Sequence, residues 1–354
     1  MAIPLPQSCI GTRISLYLMA PKLSTPYPQE KHPSAMTAYQ RIISSYKRDH
    51  GKKRSSMTDA TSTSTIPTTH NKVKQVWTQE DRERIRKRVK EVEQNNEENQ
   101  MNTYWKNKLE NDASTNWDEF YKTHRKNFFK DRHYMEDEFS ELKAIKASNT
   151  KATLLEAGCG VGNSVFPLLE AIPSLNIYCC DFSPTAIRLV GTHDSYSKSR
   201  CCTFVCDLSS KEESKIMDEK ILQEHSLDDH GEGVDLAMMM FCLSAIHPDK
   251  MEIAINNVAN VMKKGGVLWF RDYAENDGAQ LKFDVKSRIS QNFYVRGDGT
   301  RSYFFKVDEL NALMGKCGLY PVNEDVRIIE RVMMNRKTNN KMHRAWIHGR
   351  YQKH

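Results

Sequence analysis

The spacing of hydrophobic positions changes several times along the chain. Residues 1 to about 75 show no sustained period, and the Ser/Thr-rich stretch TDATSTSTIPTT (58–69) has linker composition, so a disordered leader is expected there. From Thr78 to about Asn95 the pattern is helical. Thr78 and Asp81 have capping-box spacing, and Ile85, Val89 and Val92 form a thin apolar stripe on a highly charged segment, which reads as a polar surface helix or a fully solvated one. A second polar stretch leads into WDEFYKTHRKNFFKDRHYMEDEF (117–139), dense in aromatic and basic residues together.

Beyond it the period shortens. The apolar runs TLLEA (153–157), NIYCCD (176–181), TFVCD (203–207), VDLAMMMF (234–241) and VLWFRDY (267–273) alternate with helical patterns. Strand and helix in alternation predict an α/β fold: a parallel sheet covered on both faces, with ligands bound outside the strands' carboxyl ends. The expected organisation is a basic leader over 1–75, a helical extension over 76–145 and the α/β domain over 146–354.

Charge adds one feature to this picture. The 354 residues carry a net charge of +7, but residues 1–75 hold eleven Lys/Arg against Glu30, Asp49 and Asp59, which leaves the remainder near neutral. Such a leader is either a mitochondrial transit segment or an arm that attracts nucleic acid. With 27% charged residues, a mean hydropathy of −0.67 and no apolar run near the roughly 18 residues of a spanning helix, the chain reads as soluble and without a membrane partner. Nine cysteines, several in apolar runs (Cys179, Cys180, Cys206, Cys242), fit buried thiols of a reducing compartment and hence the cytoplasm, the mitochondrion being the alternative. No CxxC pair is present, and no metal is expected.

The candidate chemistry begins at the end of the first strand. Gly158, Gly160 and Gly162 form the turn GCGVG, where missing side chains let backbone approach a ligand before a helix starts. A dinucleotide site uses glycines at the same place. Here the spacing is GxGxG with Asn163 next, in place of the third small residue of GxGxxG, and no phosphate-cradling lysine follows. Asp181 ends the next strand, where a carboxylate accepts ribose hydroxyls of either an NAD or an S-adenosylmethionine ligand. Asp207 ends the third strand. In a methyltransferase reading it meets the adenine amino group, with Leu208 and Met240 as apolar cover; otherwise these acids merely cap helices.

From Trp117 to the C-terminus, about two thirds of the chain, the sequence resembles the eukaryotic tRNA 3-methylcytidine methyltransferases. The residues that carry the resemblance are WDEFY (117–121), FFKDRHY (128–134), LEAGCGVGN (155–163), VFPLL (165–169), CDFSP (180–184), CDLS (206–209), FCLSAIHPDKM (241–251), FRDY (270–273) and NFYVRGDGTRSYFF (292–305). FFKDRHY and the last motif are specific to this group. Small departures stand at Lys264, Ala274 and Gly297, where the group has proline, glycine and glutamine. The resemblance implies a class I, Rossmann-like domain with a seven-stranded, mostly parallel sheet ending in an antiparallel strand. It implies S-adenosylmethionine contacts from Trp117, Tyr121, Gly158, Gly160, Asp181, Asp207, Leu208 and Met240. It implies tRNA as substrate, modified in the anticodon loop at position 32, with a tRNA-synthetase-type protein as a further candidate partner. VWTQED (76–81) and the ending NRKTNNKMHRAWIHGRYQK (335–353) resemble the branch acting on threonine and arginine tRNAs.

Within that reading Asp272 and Tyr273 are the catalytic candidates. Asp272 would face the cleft and hold the cytosine N4 amino group, Tyr273 would orient the base, and Phe128 and Phe129 would stack on a flipped nucleotide. Lys130, Arg132, Arg271, Arg296 and Arg301 are the tRNA-contacting candidates, with Lys122, Arg125 and Lys126 nearby. The competing reading pairs Arg271 with Asp272 as a structural ion pair and puts the phenylalanines in the core. His247, before Pro248, is expected to be structural, and neither it nor His133 is assigned to catalysis. Other functions compatible with the cofactor site are a methyltransferase for a small molecule or protein and an inactive RNA-binding module.

Overall fold

The computed structural model describes residues 76–94, 101–125, 128–223, 233–334 and 341–354. The leader 1–75, Lys126 and the segment 335–340 of the C-terminal motif lie outside the described residues, as does the side chain of Val92.

Among the described residues ten strands form two sheets: β1 (Ala152–Ala157), β2 (Leu175–Asp181), β3 (Cys201–Val205), β4 (Val234–Met240), β5 (Met262–Tyr273), β6 (Arg288–Ser290), β7 (Phe293–Val295), β8 (Arg301–Tyr303), β9 (Leu319–Met334) and β10 (Lys341–Lys353). The large sheet runs β3-β2-β1-β4-β5-β10-β9, with β1 to β5 parallel and β10 antiparallel to both its neighbours. The strand order reverses between β1 and β4, the crevice where open α/β sheets bind ligands.

Ten α-helices accompany them among the described residues: α1 (Gln79–Gln94), α2 (Thr103–Asn111), α3 (Ala113–His124), α4 (Met135–Glu138), α5 (Ser140–Ser148), α6 (Val165–Ala171), α7 (Pro184–Gly191), α8 (Ser214–Asp218), α9 (Pro248–Asn260) and α10 (Val307–Lys316). The apolar strand runs are continuous because both sheet faces are covered. Leu154, Ile177, Met238 and Trp269 pack with Phe139, Leu142 and Leu168 on one face. Leu155, Tyr178, Met239 and Phe270 pack with Met251, Ile255 and Leu310 on the other. Neighbouring residues thus go to opposite faces, a parity that matters at the strand ends.

The capping box of α1 forms as its spacing predicts: Thr78 N donates to Asp81 Oδ2 (3.2 Å) and Asp81 N to Thr78 Oγ1 (3.1 Å). The apolar stripe is not solvated. Ile85 and Val89 are buried with Trp77 in the main core, because the β9–β10 hairpin gives α1 a surface to dock on. Trp77 Nε1 donates to Arg331 O (3.1 Å), Arg82 pairs with Glu330 at 2.6 Å, and His343 Nε2 lies 3.1 Å from Asp81.

The motif NFYVRGDGTRSYFF builds β7, a tight turn and β8, which with β6 make a three-stranded antiparallel sheet. Asp298 Oδ1 accepts from Thr300 N (3.0 Å) and Oγ1 (2.6 Å). Gly299 has φ +84°, and a Cβ there would lie 2.9 Å from the Asn116 side chain, so glycine is required both by the turn and by the approach of α3.

Candidate active site

At the end of β1 the chain turns sharply, with Gly158 N and Cys159 N both donating to Cys180 O at 2.9 Å. Gly158 has φ +72°, and a Cβ on it would collide with Cys242 Sγ. Gly160 has φ +56°; its N donates to Asp181 Oδ2 at 3.0 Å, while Ser183 N donates to Oδ1 at 3.0 Å. The carboxylate at the end of β2 therefore organises the glycine loop and the start of α7 together. Burial pushes the Asp181 carboxyl up to about 6, although both backbone donors favour its ionised form.

These elements line a partly open cavity. Trp117 and Tyr121 from α3, Gly158, Asp181, Asp207 and Leu208 all line it. Trp117 and Tyr121 stack at 5.8 Å on one face of α3, as their spacing of four requires. Gly160 stands just behind, where a Cβ would lie 2.9 Å from Tyr121 Oη. Strand β3 ends at Val205, so Asp207 lies in the following loop, its Oδ1 accepting from Ser209 N (2.9 Å) and Oγ (2.8 Å).

Met240 does not reach the cavity. Strand parity turns it to the other face beside Met238 and Trp269, and the wall is supplied by Phe241, at φ +59°, and Cys242. Sequence reading missed both, since the apolar run continues through 241. It also missed Glu156, buried at the end of β1, whose carboxyl burial pushes up to about 8 against the Arg132 guanidinium 3.6 Å away.

The residues fit S-adenosylmethionine. A buried carboxyl coordinated only by backbone is costly in a core but suits a ribose, and the aromatic and aliphatic walls with an acid at the far end suit an adenine.

Asp272 is placed differently from expectation. It has no exposed surface, its Oδ2 accepts from Ser244 N (2.9 Å) and its Oδ1 from Tyr273 N (2.9 Å), so it does not hold a base amino group directly. It fixes the turn at 243–245, of which Ala245, with the flanking Cys242 and Ile246, lines the cavity. Burial pushes its carboxyl up to about 6. Tyr273 is half-buried, with the Arg296 and Arg344 guanidinia each 5.6 Å from its ring and Phe241 at 5.2 Å.

Arg271 neither pairs with Asp272 nor reaches the surface. Strand parity sends it to the opposite face, where it is buried against Glu138 at 2.5 Å and between the rings of Tyr134 and Trp346. Arg132 and Arg301 are likewise committed inside. Arg132 donates to Ser164 Oγ (2.7 Å) and faces Glu156, and Arg301 is ion-paired to Glu110. Lys130 is exposed and Arg296 half-buried. Phe128 and Phe129 are 54% and 36% exposed, so they are not core residues. His247 caps α9, its Nδ1 accepting from Asp249 N at 3.3 Å, a structural role.

Fold and site together define a class I S-adenosylmethionine-dependent methyltransferase, and residues 155–268 match a family model described as a methyltransferase domain. The chain is 43% identical over 249 residues to the tRNA N(3)-cytidine methyltransferase METTL6 of Homo sapiens, covering 70% of this chain and 82% of that protein. It is 37% identical over 310 residues to the tRNA N(3)-cytidine methyltransferase METTL2 of Danio rerio, covering 78% and 82%. The protein belongs to the tRNA N(3)-cytidine methyltransferase family. A solved SAM-dependent methyltransferase from Anabaena variabilis is similar at 11% identity with a TM-score of 0.48, over 68% of this chain and 95% of that one.

Proposed function

We propose that the protein methylates N3 of a cytidine in the anticodon loop of tRNA, at position 32, with threonine and arginine tRNAs as substrates. The observation that carries this reading is a continuous aromatic path out of the cofactor cavity. Phe120 touches Trp117 (5.2 Å) and Tyr121 (5.4 Å) on the cavity side and the exposed Phe128 (4.9 Å) on the other, so a platform for a stacked base adjoins the methyl-donor site. The choice of tRNAs rests on the VWTQED segment, which opens α1.

S-adenosylmethionine supplies an electrophilic methyl group. Cytosine N3 is neutral with a free lone pair, so no strong base is needed, and the product is a cation. In this reading Tyr273 orients the base. Asp272, buried beneath it, acts as a positioning residue and as a negative charge favouring the developing cation. Incubating total tRNA with tritiated donor and the protein is expected to place label in 3-methylcytidine. Because the methyl blocks the base-pairing edge, reverse transcription then stops beside position 32. Label in any other nucleoside, or a stop elsewhere, contradicts the reading.

A groove between α1 and residues 275–291 is lined by Arg86, Lys87, Lys90 and Arg288, together with Glu83 and Glu275. It suits the phosphates of the anticodon stem. Reversing Arg86, Lys87 and Lys90 to glutamate is expected to weaken tRNA binding by at least about tenfold. The salt dependence of binding is expected to flatten by about one unit of log–log slope for each phosphate no longer neutralised. Affinity for the methyl donor, measured by calorimetry, is expected to stay at the parental value.

A further inference from the structure

We propose that Glu110 is a latch on the cofactor cavity: held between Arg301 and Lys250, it pins the α2–α3 pair over the bound cofactor and releases for the cofactor to exchange. The inference rests on the cofactor reading above. The wall formed by Trp117 and Tyr121 belongs to α3, so cofactor passage depends on how α2 and α3 are anchored.

There are anchors on two sides. On one, Asp118 Oδ1 accepts from Ser183 Oγ (2.7 Å) and Thr185 N (2.9 Å) at the start of α7. On the other, Glu110 at the end of α2 meets Lys250 Nζ of α9 at 2.5 Å and Arg301 of β8. All three members of this triad line the cavity. Their side chains are 6%, 24% and 43% exposed for Arg301, Glu110 and Lys250, so the triad runs from the interior to the rim.

An exposed pair would contribute little, but Arg301 is buried, and its cation is costly to leave without a carboxylate. That cost holds the latch shut. Burial opposes ionisation of Glu110, yet Lys250 and Arg301 keep its carboxyl below its ordinary range, so the latch is charged at neutral pH. Beside it, Leu109 packs with Ile289 and Phe293, joining α2 to the small sheet.

A latch changes both directions of exchange, whereas a residue gripping the ligand changes dissociation alone. Stopped-flow fluorescence of Trp117 on mixing with S-adenosylhomocysteine, and on its displacement, separates the two. For Glu110→Gln, association and dissociation are both expected to be about tenfold faster, with a nearly unchanged Kd. Lys250→Met, at the rim and leaving the Arg301–Glu110 pair in place, is expected to raise both by about threefold, and Glu110→Asp to restore most of the parental rates. Parental rates in both Glu110→Gln and Lys250→Met overturn the latch, as does faster dissociation with unchanged association. If Glu110→Gln fails to fold, Lys250→Met alone decides. A wild-type protein that shows no binding of S-adenosylhomocysteine by calorimetry overturns the cofactor reading, and the latch with it.

Discussion

Asp272→Asn is expected to lower kcat for tRNA methylation by about 100-fold at saturating methyl donor, with the Kd for that donor changed by less than about threefold. The carboxylate holds two backbone donors, Ser244 N and Tyr273 N, and asparagine offers one oxygen for both. Tyr273 therefore loses its fixed position, and the buried negative charge beside it disappears. A purely structural role would move stability and donor affinity but not the pH profile. Burial raises the Asp272 carboxyl to about 6, so it is ionised above that value and neutral below it. The parental kcat should accordingly fall as pH drops through about 6, and the asparagine variant should lack that limb. A variant that methylates tRNA at the parental rate, or keeps the acid limb in kcat, removes Asp272 from the mechanism.

Much of the fold was legible because strand and helix periods are long and unambiguous in this chain. The five parallel strands follow from short apolar runs, the turn after β1 from its glycines and Asp181 from the charged end of its run, whereas Asp207 falls two residues beyond β3. What sequence could not give was the face each residue takes once a strand ends. Met240 and Arg271 each fall one residue away from the positions that face the site, and a shift of one inverts the face. Asp272 stood out in sequence as a candidate, but its burial depends on the turn at 243–245, which approaches only in three dimensions. Arg132 and Arg301 show the same limit. A basic residue in a specific motif looks like a phosphate ligand until its carboxylate partner, Glu156 or Glu110, distant in sequence, is brought beside it. The docking of α1 on the β9–β10 hairpin was hidden for that reason too, since two apolar residues in a charged helix are a weak signal without the surface that receives them.

Asp181→Ala is expected to weaken S-adenosylmethionine binding by about 100-fold or more. The carboxylate holds Gly160 N and Ser183 N in place and, in the proposed reading, accepts the ribose hydroxyls. Hydrogen bonds to a charged group contribute about 1.5–3 kcal/mol each, so losing two of them to the ribose corresponds to roughly 10²-fold to 10⁴-fold in Kd. The effect has its own pH signature, separable from that of Asp272. Burial raises the Asp181 carboxyl to about 6, so below that value it carries a proton and loses part of its acceptor capacity. Affinity for the donor should therefore weaken as pH falls through about 6 in the parental protein, appearing in the KM for the donor, whereas the Asp272 limb appears in kcat. Asp181→Asn, already neutral, should bind weakly at all pH values between about 5 and 8. Calorimetry at pH 7.5 and 5.5 on both proteins decides the matter. Parental affinity in Asp181→Ala, or a parental Kd that is flat across this range, would leave the acid at the end of β2 with only its loop-organising role.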